Sequence, residues 1–446
     1  MQRLDSPDEQ DYNIGRQATG RAGTIRQMPG TRRENLTIGG LRMGAVRRLK
    51  SWAQYVRWKY VMVRCKFTAG ARLYDLQRTY EIDPARIRLA FLGGVKTPIQ
   101  ERGRIVGGDW DLNVTPFDQL DVYKAFEHRF LHGGAWADTP FYRRMTDLVA
   151  SGRRKGGCRT KDEYDARLRN LEVLFNEIKT KGYREQRQTT SPWKPWGNED
   201  EIHVHIGRDG DYIFADGRHR LCIAKLLGLP QVPVKISRRH AMWVALRKEI
   251  LAYAKSQKTG KVYSPLPHPD LADIPSAHGN ERMEIIEKHV PPTPGRMLDI
   301  GAHWGYFCHR FEDLGYECIA VEDLAMSVHF MKRLARAENR RFKIIEGSVL
   351  SADLTESFDV VLALNIFHHL IKTKELHEAL VRMLGRLNAR VMFFEPHLPT
   401  QRMMAGAFRN YPPQEFLSFV KEHGRFKSAG LIGTASDGRP IFKLER

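Results

Sequence analysis

The C-terminal third of the sequence, residues 295–446, predicts a doubly wound α/β sheet, and an α+β domain is expected before it. Three observations predict the sheet: apolar strands alternate with helices at βα spacing, a glycine turn follows the first strand, and an acid ends the second. With 446 residues, two or three domains of roughly 150 residues are expected. We expect a disordered basic arm at 1–40, a first domain with a helical insertion at 41–250, a Pro-rich linker with a lead-in helix at 251–294, and the second domain from 295 onward.

Five apolar runs predict the strands of the second domain, and helical segments join several of them. The first strand begins at Arg296 and is followed by a helix over Phe307–Leu314. A further helix is predicted over Lys374–Leu387. The remaining four strands are predicted at Cys318–Glu322, Phe342–Ile345, Phe358–Leu364 and Ala389–Phe394.

The turn after the first strand has the chemistry of a nucleoside-binding site. Gly301 and Gly305 permit a tight turn and a close backbone approach to a ligand. Asp299 stands at the end of the strand, and Glu322, which ends the next strand, has a carboxylate suited to the two hydroxyls of a ribose. The pattern Asp-x-Gly-x-x-x-Gly has two glycines instead of the three in Gly-x-Gly-x-x-Gly, which argues against a dinucleotide with its pyrophosphate.

This stretch resembles the class I S-adenosylmethionine-dependent methyltransferases over about 150 residues, which implies a Rossmann-like fold with S-adenosyl-L-methionine as cofactor. The resemblance implies that Asp299, Gly301 and Gly305 surround the methionine part and that Glu322 binds the ribose. It places Ser348, in Glu346-Gly347-Ser348, at the adenine, where many family members carry an acid.

Candidate catalytic residues follow the fourth strand, where the resemblance places the methyl group. They are Asn365, His368 and His369, and we expect one histidine to be functional and the other to pack. Glu395 and His397, after the fifth strand, either end that strand or join His368 in an acid–base cluster; no metal site is predicted. Similar sequences with Phe-His-His-Leu include methyltransferases that cap polysaccharides and others that act on RNA 5′ phosphates.

A second motif, Asp216-Gly217-Arg218-His219-Arg220, is predicted to bind phosphate at the start of a helix. A solvated Asp-Gly hairpin is the alternative. The motif and its flanking elements over about 170–240 resemble the ParB/sulfiredoxin superfamily, which implies nucleotide binding, with ATP or CTP and Mg²⁺ as candidate ligands. Arg218 replaces the reactive cysteine of the sulfiredoxins, so reduction of sulfinic acids is excluded.

The segment from Gly107 to Asp111 contains two carboxylates, Asp109 and Asp111, beside a glycine turn. They suit Mg²⁺ or a general base. The alternative is a polar turn with a buried Trp110, and the sequence does not decide between the two.

The net charge of +20 lies mainly in the first part of the chain. Residues 291–446 hold 21 Lys and Arg against 18 Asp and Glu, and residues 1–290 hold 51 against 34. An anionic partner is expected: a phosphorylated glycan or small molecule, a nucleic acid, or an acidic membrane contacted through the basic segment 41–66. Few cysteines and no membrane-spanning apolar run favour a cytoplasmic protein, with peripheral membrane contact as an alternative.

Two domains of this kind favour an S-adenosylmethionine-dependent methyltransferase that acts on a phosphorylated or glycan-type acceptor. Its N-terminal domain is expected to bind a nucleotide or to act as a kinase. Bifunctional kinase–methyltransferases of surface polysaccharides are a functional precedent. One alternative is an RNA or DNA methyltransferase with a basic nucleic-acid-binding domain, and another is a regulatory nucleotide sensor. Within the leading hypothesis, a phosphate oxygen is the preferred methyl acceptor.

Overall fold

The computed structural model describes residues 78–92, 102–184 and 201–446. The predicted arm at 1–40 and the basic segment 41–66 lie outside these residues. Contacts divide the chain into two compact units, of which the first comprises Met1–Arg208 and Tyr212–Ala241 and the second comprises Asp209–Asp211 and Met242–Arg446. Among the described residues, no helix combines the length and the apolar character needed to cross a bilayer.

The first unit is a mixed α/β structure. In its described residues the sheet has the order β1-β7-β5-β6-β2-β4, and β3 pairs with β7. Strand pairs β7–β5 and β6–β2 are parallel, and β5–β6 is antiparallel. The strands are β1 (Tyr80–Ile82), β2 (Leu89–Phe91), β3 (Arg104–Val106), β4 (Val114–Pro116), β5 (Ile202–Ile206), β6 (Tyr212–Asp216) and β7 (Val232–His240), and the helices are α1 (Asp121–Phe130), α2 (Pro140–Ala150), α3 (Lys161–Lys181) and α4 (Arg218–Leu226).

Capping explains where two helices of the first unit begin. Helix α3 starts three residues before the predicted Tyr164, because the Thr160 hydroxyl accepts a hydrogen bond from the Glu163 amide at 3.2 Å. Helix α4 starts at Arg218, two residues before its predicted start, because Gly217 precedes it in the left-handed conformation with φ of 86°. The predicted strand–turn–helix at 212–226 is therefore present, with a longer helix.

The second unit is a doubly wound sheet, as predicted. Helix α5 (Ala241–Ser256) leads into it, with α6 (Glu281–Glu287) just before the first strand. The sheet order is β10-β9-β8-β11-β12-β14-β13, with the first five strands parallel and β14 antiparallel to β12 and β13. The elements are β8 (Arg296–Ile300), α7 (Tyr306–Asp313), β9 (Glu317–Glu322), α8 (Ala325–Ala337), β10 (Lys343–Glu346), β11 (Ser357–Leu364), α9 (Lys374–Arg386), β12 (Asn388–Glu395), α10 (Pro413–His423), β13 (Ser428–Thr434) and β14 (Pro440–Glu445).

Alternating strand residues build a core on each face of this sheet. Leu298 and Val361 pack on one face against helices α9 and α10. Met297 and Val360 pack on the other face against α6, α7 and α8. From β8 the chain continues to β9 on one side of that strand, and it later returns to β11 on the other side. A crevice therefore opens at the carboxyl ends of β8 and β11, which is the usual ligand site of such sheets.

The segment predicted as a linker, 251–294, is packed within the second unit. It contains helix α6 and a short 3₁₀ turn at Pro269–Leu271, and His268 and Leu271 are fully buried. The His268 Nε2 atom lies 3.0 Å from the Gly210 carbonyl oxygen. Seven of the predicted elements of 295–446 are observed, each within two residues at either end, and the hairpin β13–β14 is added to them.

Candidate active site

A cavity of about 500 Å³ opens at the carboxyl ends of the parallel strands of the second unit. This volume falls within the range typical of small-ligand sites. Six predicted site residues line it: Gly301, Glu322, Ser348, Asn365, His368 and His369. Asp299 lines a smaller adjoining cavity, and Gly305 lines neither cavity.

The two glycines are required by conformation and by space. Gly301 has φ of 73°, and a Cβ atom there would lie 2.6 Å from Cδ1 of Ile366. Its amide donates to the Val321 carbonyl at 2.9 Å, which fixes the turn against β9. Gly305 has φ of 80°, and a Cβ atom there would lie 3.0 Å from Met331 Cγ. The turn therefore passes too close to its neighbours for larger residues at these positions.

Glu322 is oriented by the glycine turn itself. Its Oε2 accepts from the His303 amide at 2.7 Å, and its Oε1 accepts from the Leu324 amide at 2.9 Å. Burial raises the pKa of Glu322, although these amides act in the opposite direction. Burial, together with the Glu322 charge, also raises the pKa of Asp299 to about 7. Each Glu322 oxygen keeps a lone pair for a ligand hydroxyl.

The corner after β10 closes another side of the cavity. The Gly347 amide donates to the Glu322 carbonyl at 2.9 Å, which ties the corner to the end of β9. Ser348 Oγ accepts from the Leu350 amide at 3.3 Å and lines the cavity. Ser348 and Glu322 therefore line the same cavity.

Polar atoms without partners gather where β11 ends. Asn365 has φ of 52°, and its amide donates to the Glu395 carbonyl at 2.8 Å. Within the described residues, the buried Asn365 Oδ1 has no hydrogen-bond partner. The same holds for both ring nitrogens of His368, which is only 2% exposed. Such buried groups are costly unless a ligand or water pairs with them.

The two adjacent histidines differ in environment. His368 lies in the 3₁₀ turn Phe367–Ile371, and burial lowers its pKa to about 3, with His369 adding to the shift. His369 is exposed, although partial desolvation also lowers its pKa. Their ring centroids are 3.9 Å apart. His368 is therefore neutral at physiological pH and is the better candidate for a functional imidazole.

A family model described as a methyltransferase domain matches residues 298–393, which run from within β8 to within β12 and include the six predicted site residues that line the cavity of about 500 Å³. The second unit contains a methyltransferase domain. The match and a curated relative support an S-adenosylmethionine-dependent methyltransferase, the enzyme class predicted from the sequence.

That relative, from Alkaliphilus oremlandii, is described as an uncharacterized methyltransferase and is 30% identical over 94 residues. The match covers 21% of this chain and 41% of the relative, so the chain spans less than half of the relative's length. Solved structures similar to this chain include the bifunctional kinase-methyltransferase WbdD, at 18% identity and a TM-score of 0.37, covering 44% of this chain and 46% of that one. A SAM-dependent methyltransferase from Archaeoglobus fulgidus is 14% identical with a TM-score of 0.30, and the match covers 37% of this chain and 92% of that one.

A buried ion-pair network, which sequence reasoning missed, borders the smaller cavity. Arg282 of α6 donates to Glu395 Oε2 at 2.7 Å and to Asp437 Oδ2 at 2.7 Å. Arg439 lies 3.0 Å from the same Asp437 oxygen and 3.6 Å from Glu395. Burial raises the pKa of Glu395 even beside these arginines. A single arginine in a predicted helix offers no pattern that would reveal its partners.

Tyr263 is a second residue that sequence reasoning missed. It lines both cavities and comes from the segment predicted as a linker. The His278 amide donates to its carbonyl at 3.0 Å, and its ring centroid is 4.6 Å from that of His278. A lone tyrosine before a Pro-rich stretch carries no periodic signal that would assign it to a site.

In the first unit, the predicted phosphate motif stands at the start of α4. A Cβ atom on Gly217 would lie 2.9 Å from the Ile202 Cα atom, so glycine is required there. The ring of His219 stacks on Phe126 with centroids 5.6 Å apart, and burial lowers its pKa to about 3. Arg220 lies 5.6 Å above the Tyr183 ring. Arg218 and Arg220 are thus the cationic side chains of the motif.

The carboxylates near Gly107 bind an arginine in the structure. Arg208 Nη2 lies 2.8 Å from Asp109 and 2.7 Å from Asp111. Burial acts to raise the pKa of Asp111, but hydrogen bonds from Arg208 outweigh it and lower the pKa. The half-buried Trp110 donates to the Val106 carbonyl at 3.2 Å. These contacts favour the polar turn over the Mg²⁺ or general-base alternative.

Proposed function

We propose that this chain transfers the methyl group of S-adenosylmethionine to a hydroxyl of an anionic, glycan-type acceptor. The observation that carries the proposal is the lining of the large cavity. That lining includes Glu322 and Asp323 but no lysine or arginine among the described residues. Among the described residues that line the smaller cavity, the one lysine or arginine is Arg282, which already binds carboxylates.

Hydrogen-bonding character supports a hydroxyl as the reacting group. Asn365 Oδ1 is an acceptor, and neutral His368 carries one acceptor nitrogen, both without partners. A hydroxyl donates one hydrogen bond and therefore pairs with such a group, whereas an ionised phosphate oxygen only accepts. Placing a phosphate among carboxylates and acceptors would cost free energy. The proposal thus moves the methylated atom from the phosphate oxygen preferred on sequence grounds to a hydroxyl.

The anionic part of the acceptor has a separate place at the rim of the cavity. Met403, which is 49% exposed, lines the cavity, and exposed Arg402 adjoins it in the chain. The Phe408 amide donates to the Lys372 carbonyl at 2.8 Å, and the guanidinium of exposed Arg409 lies 5.1 Å above the Phe408 ring. Two cationic residues therefore lie near the cavity, Arg402, beside Met403, and Lys372, whose charge adds to desolvation in lowering the pKa of the lining residue His369, and they suit a phosphate and the sugar that carries it.

For the first unit, we propose nucleotide binding at Asp216, Gly217, Arg218 and Arg220, with ATP or CTP and Mg²⁺ as the candidate ligands. The left-handed Gly217 before α4 and two arginines in the first turn of that helix, Arg218 and Arg220, support this site. His219 would contribute packing rather than charge, because its ring stacks on Phe126. A nucleotide site in the same chain as a methyltransferase domain agrees with successive phosphorylation and methylation of one acceptor.

Methyl transfer from ¹³C-methyl-labelled S-adenosylmethionine tests the proposal. The probes are a neutral hexose oligosaccharide, a hexose 6-phosphate and a 5′-phosphorylated RNA. A methyl ether is expected, on the hexose 6-phosphate faster than on the neutral oligosaccharide. In NMR spectra, a methyl phosphate would show coupling of the methyl protons to ³¹P, and that result would overturn the hydroxyl assignment. Preferential methylation of the RNA would favour the nucleic-acid alternative.

A further inference from the structure

His397 lies behind His368, just past the end of β12, and is 1% exposed. Its Nε2 is 2.9 Å from Asn410 Oδ1. The amide nitrogen of Asn410 donates to the Pro399 carbonyl at 3.0 Å. Since a carbonyl only accepts, this contact fixes the amide with its oxygen toward His397. His397 must therefore carry its proton on Nε2, which leaves a lone pair on Nδ1.

That Nδ1 atom is buried and has no partner among the described residues. The ring of His397 is 6.0 Å from that of His368, centroid to centroid. Of the two, His368 lines the large cavity and His397 does not. A small ring rotation or one bridging water would pair a His368 N–H with His397 Nδ1.

We propose that His397 is a positioning residue that fixes the tautomer of His368, so that His368 presents a lone pair to the acceptor hydroxyl. The inference rests on the proposed function, which makes a hydroxyl the methyl acceptor. His368 would donate its N–H to His397 Nδ1, and its second nitrogen would face the cavity. Asn410 would set the direction of this chain of contacts.

The reaction balances with these residues. The acceptor oxygen forms a bond to the methyl carbon, and the carbon–sulfur bond breaks with its electrons moving to sulfur, which yields S-adenosylhomocysteine. The acceptor O–H proton moves to the free nitrogen of His368. The imidazolium is stabilised by its contact with His397, and the proton is released to solvent after the methylated product leaves.

Two substitutions of His397 separate positioning from packing. His397→Asn keeps an acceptor oxygen near the Nδ1 position. His397→Gln keeps a polar group near Nε2, beside Asn410, but removes the Nδ1 acceptor. A matched control is His377→Gln, because His377 is a half-buried histidine of the same unit that contacts Tyr411 at 2.9 Å.

The first measurement is the tautomer of His368, by NMR of the ¹⁵N-histidine-labelled full chain, assigned with His368→Asn. We expect one tautomer in the wild type, in His397→Asn and in His377→Gln, and a mixture in His397→Gln. An unchanged single tautomer in His397→Gln would overturn the proposal. Should that variant fail to fold, Asn410→Leu serves instead, because it releases the His397 tautomer and should also yield a mixture.

The second measurement is methyl transfer to the hexose 6-phosphate. We expect kcat of His397→Gln to fall about 10- to 100-fold, as is typical when a supporting hydrogen bond to a functional histidine is lost. The KM for S-adenosylmethionine should change less than about twofold. A fall in kcat shared equally by His397→Asn would instead assign a packing role. Absence of methyl transfer in the wild type counts against the proposed function alone, since the tautomer measurement needs no acceptor.

Discussion

Removing Arg282 should strongly destabilise the second unit. Arg282 is 6% exposed and holds Glu395, itself 1% exposed, through two hydrogen bonds of 2.7 and 3.2 Å. Arg282→Met leaves this carboxylate buried, with Arg439 at 3.6 Å as its remaining ion-pair partner. Breaking a buried ion pair from one side costs about 3–5 kcal/mol. We expect a loss of that size in the free energy of unfolding, measured by urea denaturation.

The pH dependence of this loss follows from Glu395. Burial already raises the pKa of Glu395, and removal of Arg282 should raise it further. The folded variant then binds a proton more readily than the unfolded chain, so the loss relative to wild type should be smaller at pH 5 than at pH 8. The double variant Arg282→Met/Glu395→Gln, which has no orphaned charge, should lose less than the single variant.

A surface pair between helices α6 and α7 provides the control. Arg310 lies 4.0 Å from Glu287, and both side chains are more than 40% exposed. Arg310→Met should therefore cost less than about 1 kcal/mol. Equal losses in the Arg282 single and double variants, or a loss independent of pH, would refute the buried-charge explanation.

Four further predictions concern ligands and protonation. In calorimetry, Gly301→Arg should abolish binding of S-adenosylmethionine, and Glu322→Ala should weaken it by about 1–3 kcal/mol. Unchanged affinities in both variants would place the cofactor site elsewhere. Burial lowers the pKa of His368 in the folded chain to about 3, so the unfolded chain takes up this proton at a higher pH. His368 should therefore lower the free energy of unfolding as the pH falls below about 6.5. In His368→Asn, the free energy of unfolding should depend less steeply on pH. For a hydroxyl acceptor, His368→Asn should also reduce kcat about 10²–10⁴-fold, with no acidic limb near pH 6.5 to remove. ATP or CTP should raise the melting temperature of the full chain, and the shift should vanish in Arg218→Ala, whereas an equal shift in that variant would contradict the phosphate site.

Much of the second unit was predictable because its signals are local. Apolar runs specify the five parallel strands, and the observed bounds differ from the predicted ones by one residue or none. Gly301 and Gly305 adopt positive φ, which glycine tolerates better than other residues, so the residue type alone indicates the turn. The starts of helices α3 and α4, at Lys161 and Arg218, were predicted less exactly, because a helix cap depends on one side chain or one dihedral angle.

The site itself was predicted in part. Strand ends of a parallel sheet meet at one edge, and this rule alone brings Glu322, Ser348, Asn365 and His368 around one cavity. The rule says nothing about protonation. His368 and His369 are equivalent in the sequence, and burial is what makes His368 the neutral, unpartnered one.

The sequence by itself determined where the strands and the glycine turn lie along the chain, because these depend on residues close together, and its resemblance to a known family indicated the class of cofactor. Only the tertiary structure decided which charges and polar atoms meet. Arg282 and Glu395 are 113 residues apart, and the two carboxylates near Gly107 reach Arg208 about a hundred residues later. His397 and Asn410 are 13 positions apart, and this spacing likewise does not predict their contact. Such pairs form because burial of an unpaired charge or polar atom is costly, and the path of the folded chain determines which partner is within reach.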